Sequence, residues 1–389
     1  MGVVSLSPLH SSERFGTVDA AYRLFRWLFL SPSVAAGGIA GALFTAHNKL
    51  STAPLSLSSL WTTLTSPALW CTLRSHPELF VIPVVSIGLQ LNYHLNRAAR
   101  NNYTRSRKSW KWDDEVVIVT GGSGGLGSDV VRRLAERGTK VAILDIAPPI
   151  SDTPRNVHFF KVDISSKEAV EAAAKQISEE LGHPSVLINM AGVVRAKSVL
   201  EMEPRDVDLT FDINVKAHYY TVQAFLPRMI EEGKGHVITI ASAMSYVQAA
   251  SGVSYCSSKA AALSFHEGLT TELRHLYQPA AHARAIRTSV VCPAHFKTQM
   301  FEGFRNAIPG WAAPSLEVGT VAKLVCETVW SGESQHIIEP FYAKMTPFGR
   351  ALPTWIYNEV LRLAKDAMGF VGQAQRAKEA KKPETSKEE

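Results

Sequence analysis

The stretch from 115 to 145 restricts this chain to one kind of architecture. Residues 115–120 (EVVIVT) form a short apolar, β-branched run of the sort that is buried on both faces of a sheet. The run leads directly into Gly121-Gly122-Ser123-Gly124-Gly125-Leu126-Gly127 and then into helical periodicity. Glycine is needed where the backbone must turn tightly and approach a pyrophosphate with no Cβ in the way. The helix that follows offers unpaired N–H groups and the positive end of its dipole to such an anion. A second apolar strand, 140–144, ends in Asp145, about 20 residues past the glycines, where a carboxylate can accept hydrogen bonds from two ribose hydroxyls. Strand, glycine turn, helix, strand and terminal acid together specify a dinucleotide-binding βαβ unit.

A second stretch, 236–262 (HVITIASAMSYVQAASGVSYCSSKAAA), supplies candidate chemistry. It opens as a buried strand, and Ser242 stands just past its end. Tyr255 follows, and Lys259 lies four residues further on, at the start of a small-residue helical segment. Positions i and i+4 share a helix face, so the phenol and the ammonium can be neighbours. A phenol near pH 10 is a poor base at neutral pH, and a nearby cation is expected to lower its pKa. That suits a general acid/base, with Ser242 placed to hold a substrate oxygen beside it. Alone, Tyr-x-x-x-Lys is commonplace helix decoration; the dinucleotide unit upstream is what gives it meaning.

Thr120-Gly121-x-x-x-Gly125-x-Gly127 with Tyr255-x-x-x-Lys259 resembles the short-chain dehydrogenase/reductase family, and the likeness runs across roughly 115–340. It implies cofactor contacts from Thr120, Gly121, Ser123, Gly125, Leu126, Gly127 and Asp145. Asp163, followed by Ile164, resembles the acid that contacts the adenine ring. Asn189, Ala191 and Gly192 resemble the Asn-Asn-Ala-Gly run after the fourth strand, with Met190 in place of the second asparagine. Pro293 and Thr298 resemble the Pro-Gly-x-x-x-Thr loop over the nicotinamide, with Ala294 in place of glycine. The first departure is expected to weaken support of the sheet, the second to stiffen the loop. Asn214 matches the catalytic asparagine, which completes a set with Ser242, Tyr255 and Lys259. In the mechanism implied, Tyr255 is the acid/base, Lys259 binds the nicotinamide ribose and lowers the tyrosine pKa, and Ser242 holds the substrate oxygen. Asn214 holds a water through which the lysine exchanges protons. Asp145 would repel a 2′-phosphate, and neither Gly122 nor Ile146 supplies a compensating cation, so NAD is expected ahead of NADP.

The 389 residues exceed what these motifs occupy. With 46% hydrophobic residues, bulk disorder is excluded. The four cysteines (Cys71, Cys256, Cys292, Cys326) show neither a disulfide framework nor metal-ligand spacing, and no metal is expected. Residues 1–112 are expected to associate with a membrane. Two uncharged apolar runs, 27–48 and 79–96, approach or reach the length of about 20 that crosses a bilayer. They could span it as two passes or enter it as a hairpin, including at a lipid-droplet surface. A basic flank at 97–111, with Trp110 and Trp112, marks the cytosolic side and the interface. The polar opening, 1–16, argues against a cleaved signal peptide. The basic cluster adjoins apolar sequence without a nucleic-acid-binding fold, so nucleic acid is not an expected partner.

From 113 to 340, strand-like runs (115–120, 140–145, 157–161, 185–189, 236–241, 286–292, 335–339) alternate with helical patterns (125–137, 166–181, 206–232, 254–277, 315–330). The expected fold is a single Rossmann-type α/β domain, with a doubly wound parallel seven-stranded sheet and the glycine turn and Tyr255 at its carboxyl edge. A lid at 299–314 carries Phe301, Phe304 and Trp311, expected to contact a lipophilic substrate. A helical extension, 341–372, could cover the pocket, pair with a second subunit or lie on membrane; a charged tail, 373–389, is expected to lack structure.

Anchor, core and extension together resemble the membrane-bound retinol and 17β-hydroxysteroid dehydrogenase branch. That implies alcohol–carbonyl interconversion on a retinoid, steroid, sterol or long-chain alcohol, at endoplasmic reticulum or lipid droplet with the catalytic domain facing the cytosol. It also implies a homodimer through the helices at 206–232 and 254–277. Two other readings stay open: an NADPH-dependent ketoreductase of lipid synthesis, and a non-catalytic membrane or droplet protein on a nucleotide-binding fold. A scaffold has no chemical need for Asn214, Ser242, Tyr255 and Lys259 together.

Overall fold

The computed structural model describes residues 32–50, 57–104, 109–150, 153–305, 309, 313–363 and 365–380. They fall into two units, Met1–Ala99 and Arg100–Glu389.

The first unit is helical: α1 (Pro32–Leu50), α2 (Leu57–Leu64), α3 (Pro67–Ser75) and α4 (Glu78–Arg100), with Pro83 inside α4. Ala42 and Ala46 of α1 are buried, and its His47 lies 3.4 Å from Thr63 of α2. Large apolar side chains face outward, with Trp61 and Trp70 at 70% and 71% exposure. Among the described residues no helix is long and apolar enough to cross a membrane. The reason lies in the helix ends: α1 closes on Asn48 and Lys49, and α4 spends its second half on Asn92, His94, Asn96, Arg97 and Arg100. The opening of the first expected run, 27–31, lies outside the described residues.

The second unit is built on seven parallel strands: β1 (Val116–Thr120), β2 (Lys140–Asp145), β3 (Val157–Lys161), β4 (Val186–Asn189), β5 (His236–Ile240), β6 (Arg287–Pro293) and β7 (His336–Glu339). Their order is β3-β2-β1-β4-β5-β6-β7. The order reverses between β1 and β4, which opens a crevice at the carboxyl ends of these two strands. Alternate residues of β1 serve opposite cores, which is why the whole strand reads as apolar. Val116 and Ile118 pack on the side of α6 (Lys167–Glu180), α8 (Ala217–Glu232) and α9 (Val253–His275). Val117 and Val119 pack on the side of α5 (Gly125–Ala135) and α10 (Val318–Ser331). The expected helix at 206–232 is interrupted: α7 (Pro204–Phe211) passes into one π-helical turn, Asp212–Lys216, before α8. Beyond β7 come a 3₁₀ segment (Phe341–Ala351), α11 (Thr354–Leu363) and α12 (Ala367–Glu379).

Two boundaries differ from expectation. Residues 100–104 and 109–112 belong to the dehydrogenase unit. After α4, Asn102 and Tyr103 take left-handed backbone (φ 55° and 54°), and this turn lays the chain against β6. Buried Arg287 donates to the carbonyls of Asn101 (2.8 Å) and Thr104 (2.9 Å). Trp110 and Trp112 stack on each other (5.1 Å) and pack, half-buried, on the α5 side of the core. At the other end, α12 continues through Glu379, past residue 373, and its Gln375 bonds Val194 and Ala196.

Candidate active site

Five strand ends place the site: Thr120, Asp145, Asn189, Ile240 and Pro293 all finish at the carboxyl edge. Gly121 (φ +69°) turns the chain there, and a Cβ on Gly127 would stand 2.0 Å from the Gly121 carbonyl, so only glycine lets α5 start so close to the turn. Gly124 and Gly125 (φ +54°) face open space, where phosphates can reach the α5 N-terminus. The Asp145 carboxylate accepts from the backbone N–H of Ser123 (3.0 Å), and the Ser123 hydroxyl donates to Ala147 O (2.6 Å). These bonds fix the acid at the crevice mouth. Asp163 holds the turn after β3 by accepting from Ser165 N (2.9 Å).

Thr120 is placed differently from expectation. Its buried hydroxyl accepts from Met190 N (2.9 Å) and Ala191 N (3.1 Å), so it braces β1 to the end of β4 and is not turned toward the crevice. Those two bonds also explain why Met190 is tolerated: a backbone N–H, independent of the side chain, makes the contact. Leu126 and Ile164 bury their side chains in the two cores, which leaves only their backbones for a ligand. Asn189 accepts from Thr221 (2.8 Å), and its buried Nδ2 has no hydrogen-bond partner among the described residues. On the nicotinamide loop, the buried Thr298 hydroxyl likewise has none. The backbone N–H of Ala294 donates to Glu339 O (2.8 Å), and Ala294 is not among the described residues with left-handed backbone, so glycine is not needed there. The open glycine turn, the fixed Asp145 and the orphaned Thr298 hydroxyl fit a nicotinamide dinucleotide.

The four catalytic candidates converge. The π-turn carries Asn214 inward, where it is fully buried and bridges three groups. Its Oδ1 accepts from Val193 N (2.8 Å), and its Nδ2 donates to Val193 O (3.0 Å) and Ser258 Oγ (2.9 Å). Ser258 in turn donates to Tyr255 O (2.8 Å), so Asn214 is tied to the turn of α9 that carries the tyrosine. Lys259 Nζ donates to Ile240 O (2.9 Å), and a Cβ on Gly192 would lie 3.5 Å from it. Ser242 caps the short turn after β5 by accepting from Met244 N (3.1 Å).

Burial dominates the electrostatics. The Tyr255 phenol is pushed up from its ordinary value, although its hydrogen bond with Ser242 pulls the other way. The Lys259 ammonium is held down to about 8 for the same reason. Its Nζ lies 6.0 Å from the Tyr255 ring centroid. The expectation that the lysine lowers the tyrosine pKa is not met in the protein alone: burial sets the direction, and the one opposing pull comes from Ser242.

Among the expected substrate contacts, Phe301 meets the Tyr255 ring edge-on (5.7 Å between centroids), Phe304 stacks on His295 (3.8 Å), and Trp311 lies outside the described residues. Sequence reasoning missed Ser258, although its place directly before Lys259 was a signal. It also missed Met368, Val371 and Gln375 of α12, which lie at the site with no local pattern to announce them.

A family model described as short chain dehydrogenase matches residues 115–308. Dehydrogenase RED2 of Cochliobolus heterostrophus is 41% identical over 253 residues, which are 62% of this chain and 92% of that protein. Human estradiol 17-beta-dehydrogenase 11 is 31% identical over 61% of this chain and 79% of its own length. Among solved structures, a short chain dehydrogenase from Burkholderia cenocepacia in complex with NADP aligns with a TM-score of 0.53 and 27% identity, covering 64% of this chain and 98% of that one. The chain belongs to the short-chain dehydrogenase family and is an NAD(P)-dependent oxidoreductase.

Proposed function

We propose that this protein interconverts an alcohol and a carbonyl on a lipophilic substrate, with NAD as its cofactor, at a membrane or lipid-droplet surface. The observation that carries the reading is the meeting of Ser242, Tyr255, Lys259 and Asn214 beneath an apolar cluster that includes Phe301. When bound, the nicotinamide supplies hydride transfer at the carbon bearing the oxygen. Tyr255 removes the alcohol proton or returns it to the carbonyl oxygen. Ser242, fixed by its cap, holds that oxygen and stabilises charge developing on it. Lys259 binds the nicotinamide ribose and opposes the desolvation that disfavours the phenolate. Asn214 fixes the Val193 backbone beside the lysine and orders the water through which the lysine exchanges protons.

Asp145 supports NAD, since its carboxylate stands where a 2′-phosphate would be repelled. An apolar surface over the tyrosine supports a lipophilic substrate such as a retinoid, steroid, sterol or long-chain alcohol, and the relative that acts on estradiol by name agrees. Membrane association is supported by the outward apolar side chains of α4: Val81, Val84, Val85, Leu91 and Leu95 are 43–58% exposed. Association through this surface is compatible with helices too polar to span. The same reading places the protein at endoplasmic reticulum or lipid droplets with the enzyme facing the cytosol, as a homodimer through the helices of 206–232 and 254–277.

The test is a cofactor-resolved screen of membranes carrying the full-length protein. NAD or NADP is supplied with a panel of retinol, 17β-hydroxysteroid, sterol and long-chain alcohols, and the Tyr255→Phe protein is the blank. Turnover of a lipophilic alcohol with NAD is the expected result. Turnover confined to carbonyl reduction with NADPH would overturn the cofactor assignment, and equal turnover by Tyr255→Phe would overturn the acid/base.

A further inference from the structure

We propose that α12 is the cap of the substrate site, and that its buried residues Met368 and Val371 set which alcohols reach Tyr255. The inference rests on Tyr255 being the acid/base.

A substrate oxygen must touch both Tyr255 and Ser242, yet these residues are 5% and 7% exposed. Something over them has to move. The cover has two parts. Phe301 comes from the lid, while Met368 and Val371, both fully buried, come from α12; they close over Tyr255 with Val194, Ala249 and Cys256. Two glycines permit the close fit. A Cβ on Gly372 would stand 2.1 Å from the Ala196 carbonyl, and one on Gly303 (φ +87°) would stand 2.7 Å from the Phe370 carbonyl. Helix backbone therefore touches the loop after β4 on one side and the lid on the other.

Beyond the buried Met368 and Val371, the remaining fastenings of α12 are polar and peripheral. The Gln375 amide donates to Val194 O (3.1 Å) and accepts from Ala196 N (3.1 Å), in the manner of an added strand. Lys378 pairs with Glu302 of the lid, both about half exposed, and the Arg305 guanidinium lies 4.7 Å from the Phe370 ring. Each contact can be exchanged for water at modest cost. A cavity of about 240 Å³ runs between α12 and the loop after β4, lined by Gly192, Val193, Arg195, Gln299, Ala374 and Gln375. Its inner end, Gly192, adjoins Lys259. Lifting α12 would join this cavity to the space above Tyr255, which makes the inner face of the helix the surface a bulky substrate meets.

Thiol labelling tests the cap without depending on activity. Cys256 is buried beneath Met368 and Val371, Cys292 and Cys326 are buried elsewhere in the fold, and Cys71 is exposed. In full-length protein with NAD, followed by mass spectrometry, Gln375→Ala is expected to speed labelling of Cys256 about tenfold, the loss of two neutral hydrogen bonds. Cys292 and Cys326 should stay protected. An unchanged Cys256, or three buried cysteines labelling together, would overturn the proposal.

A lock gives the second test. A Cβ on Gly252 would lie 3.5 Å from Met368 Cβ, within disulfide range, so Gly252→Cys with Met368→Cys can pin α12 to the start of α9. Each single variant controls for pairing with Cys256. Oxidised double variant is expected to turn over bulky secondary alcohols at least about tenfold more slowly and to recover on reduction. Equal rates in both states would refute the cap. Met368→Ala is expected to raise kcat/KM for a bulky over a small alcohol about tenfold, and an unmoved ratio would refute selection by this face. If the reduced protein and the wild type oxidise nothing, the dehydrogenase reading fails, while the labelling result still decides the cap.

Discussion

Replacing Asn214 by Ala removes three hydrogen bonds at once, one buried and two partly buried, and the structure sets the cost. Ser258 keeps its bond to Tyr255 O, so its loss is the smallest. The N–H and C=O of Val193 are left without their partner. A buried backbone group left without a partner costs about 1–3 kcal/mol, and these two are only partly buried, so Asn214→Ala should destabilise the enzyme unit by about 1–4 kcal/mol. For a unit of this size that corresponds to a fall in Tm of about 2–6 °C. The measurement is tryptophan-fluorescence melting of the full chain in detergent. Asn214→Asp should also melt early, because its carboxylate keeps the Val193 N–H but sets negative charge against the Val193 carbonyl. Asn214→Ala melting within about 1 °C of the wild type would refute the argument, since the Val193 backbone would then find equivalent partners without the asparagine.

Gly127→Ala forces a contact of 2.0 Å with the Gly121 carbonyl, so α5 must move away from the turn. NAD binding by calorimetry should fall at least about tenfold, and unchanged affinity would show that the turn can yield. Lys259 sits at about 8 in the fold against an unfolded value of 10.5, so its buried charge penalises the fold below pH 8, and that penalty is relieved as pH rises from 8 to 10.5. The ammonium is also lost in that window, so NAD affinity should decline above about pH 8 in wild type but not in Lys259→Met. His218, His236 and His266 are buried and held at about 3, neutral in the fold, whereas unfolded histidine protonates near 6.5. Stability should therefore fall as pH drops from 6.5 toward 3, by up to about 2 kcal/mol per histidine at pH 5; a Tm flat from pH 7 to 5 would contradict it.

The sheet and the identities of the catalytic candidates are legible in the sequence because they depend on local patterns. Strands buried on both faces are written as unbroken β-branched runs, and the glycine turn and Tyr-x-x-x-Lys are fixed spacings within a few residues. What escaped depends on contacts distant in the chain. Gln375 meets Val194 across 181 positions, and Arg287 meets Asn101 across 186, so no local periodicity reports either. Thr120 matches the motif, yet its hydroxyl is consumed by the backbone of residues 190–191, which spacing alone does not show. The π-turn that aims Asn214 leaves the helical pattern of 206–232 almost unchanged. Tyr255 is covered by α12 and the lid, and its burial raises a phenol that the Tyr-x-x-x-Lys spacing alone suggests is lowered.

The clasp of residues 101–104 on Arg287 bears on how portable the catalytic module is. A module cut to begin at Trp112 would keep every motif residue, the complete sheet and both cores. It would also leave the guanidinium of a central strand, 3% exposed, without the two carbonyls that now solvate it from within the protein. Asn101 further receives the N–H of Ser334 (3.0 Å), at the turn that leads into β7, so the same cut would loosen the far edge of the sheet. These few residues are thus an internal solvent shell for one charge. In any fusion or chimaera this shell has to travel with the enzyme.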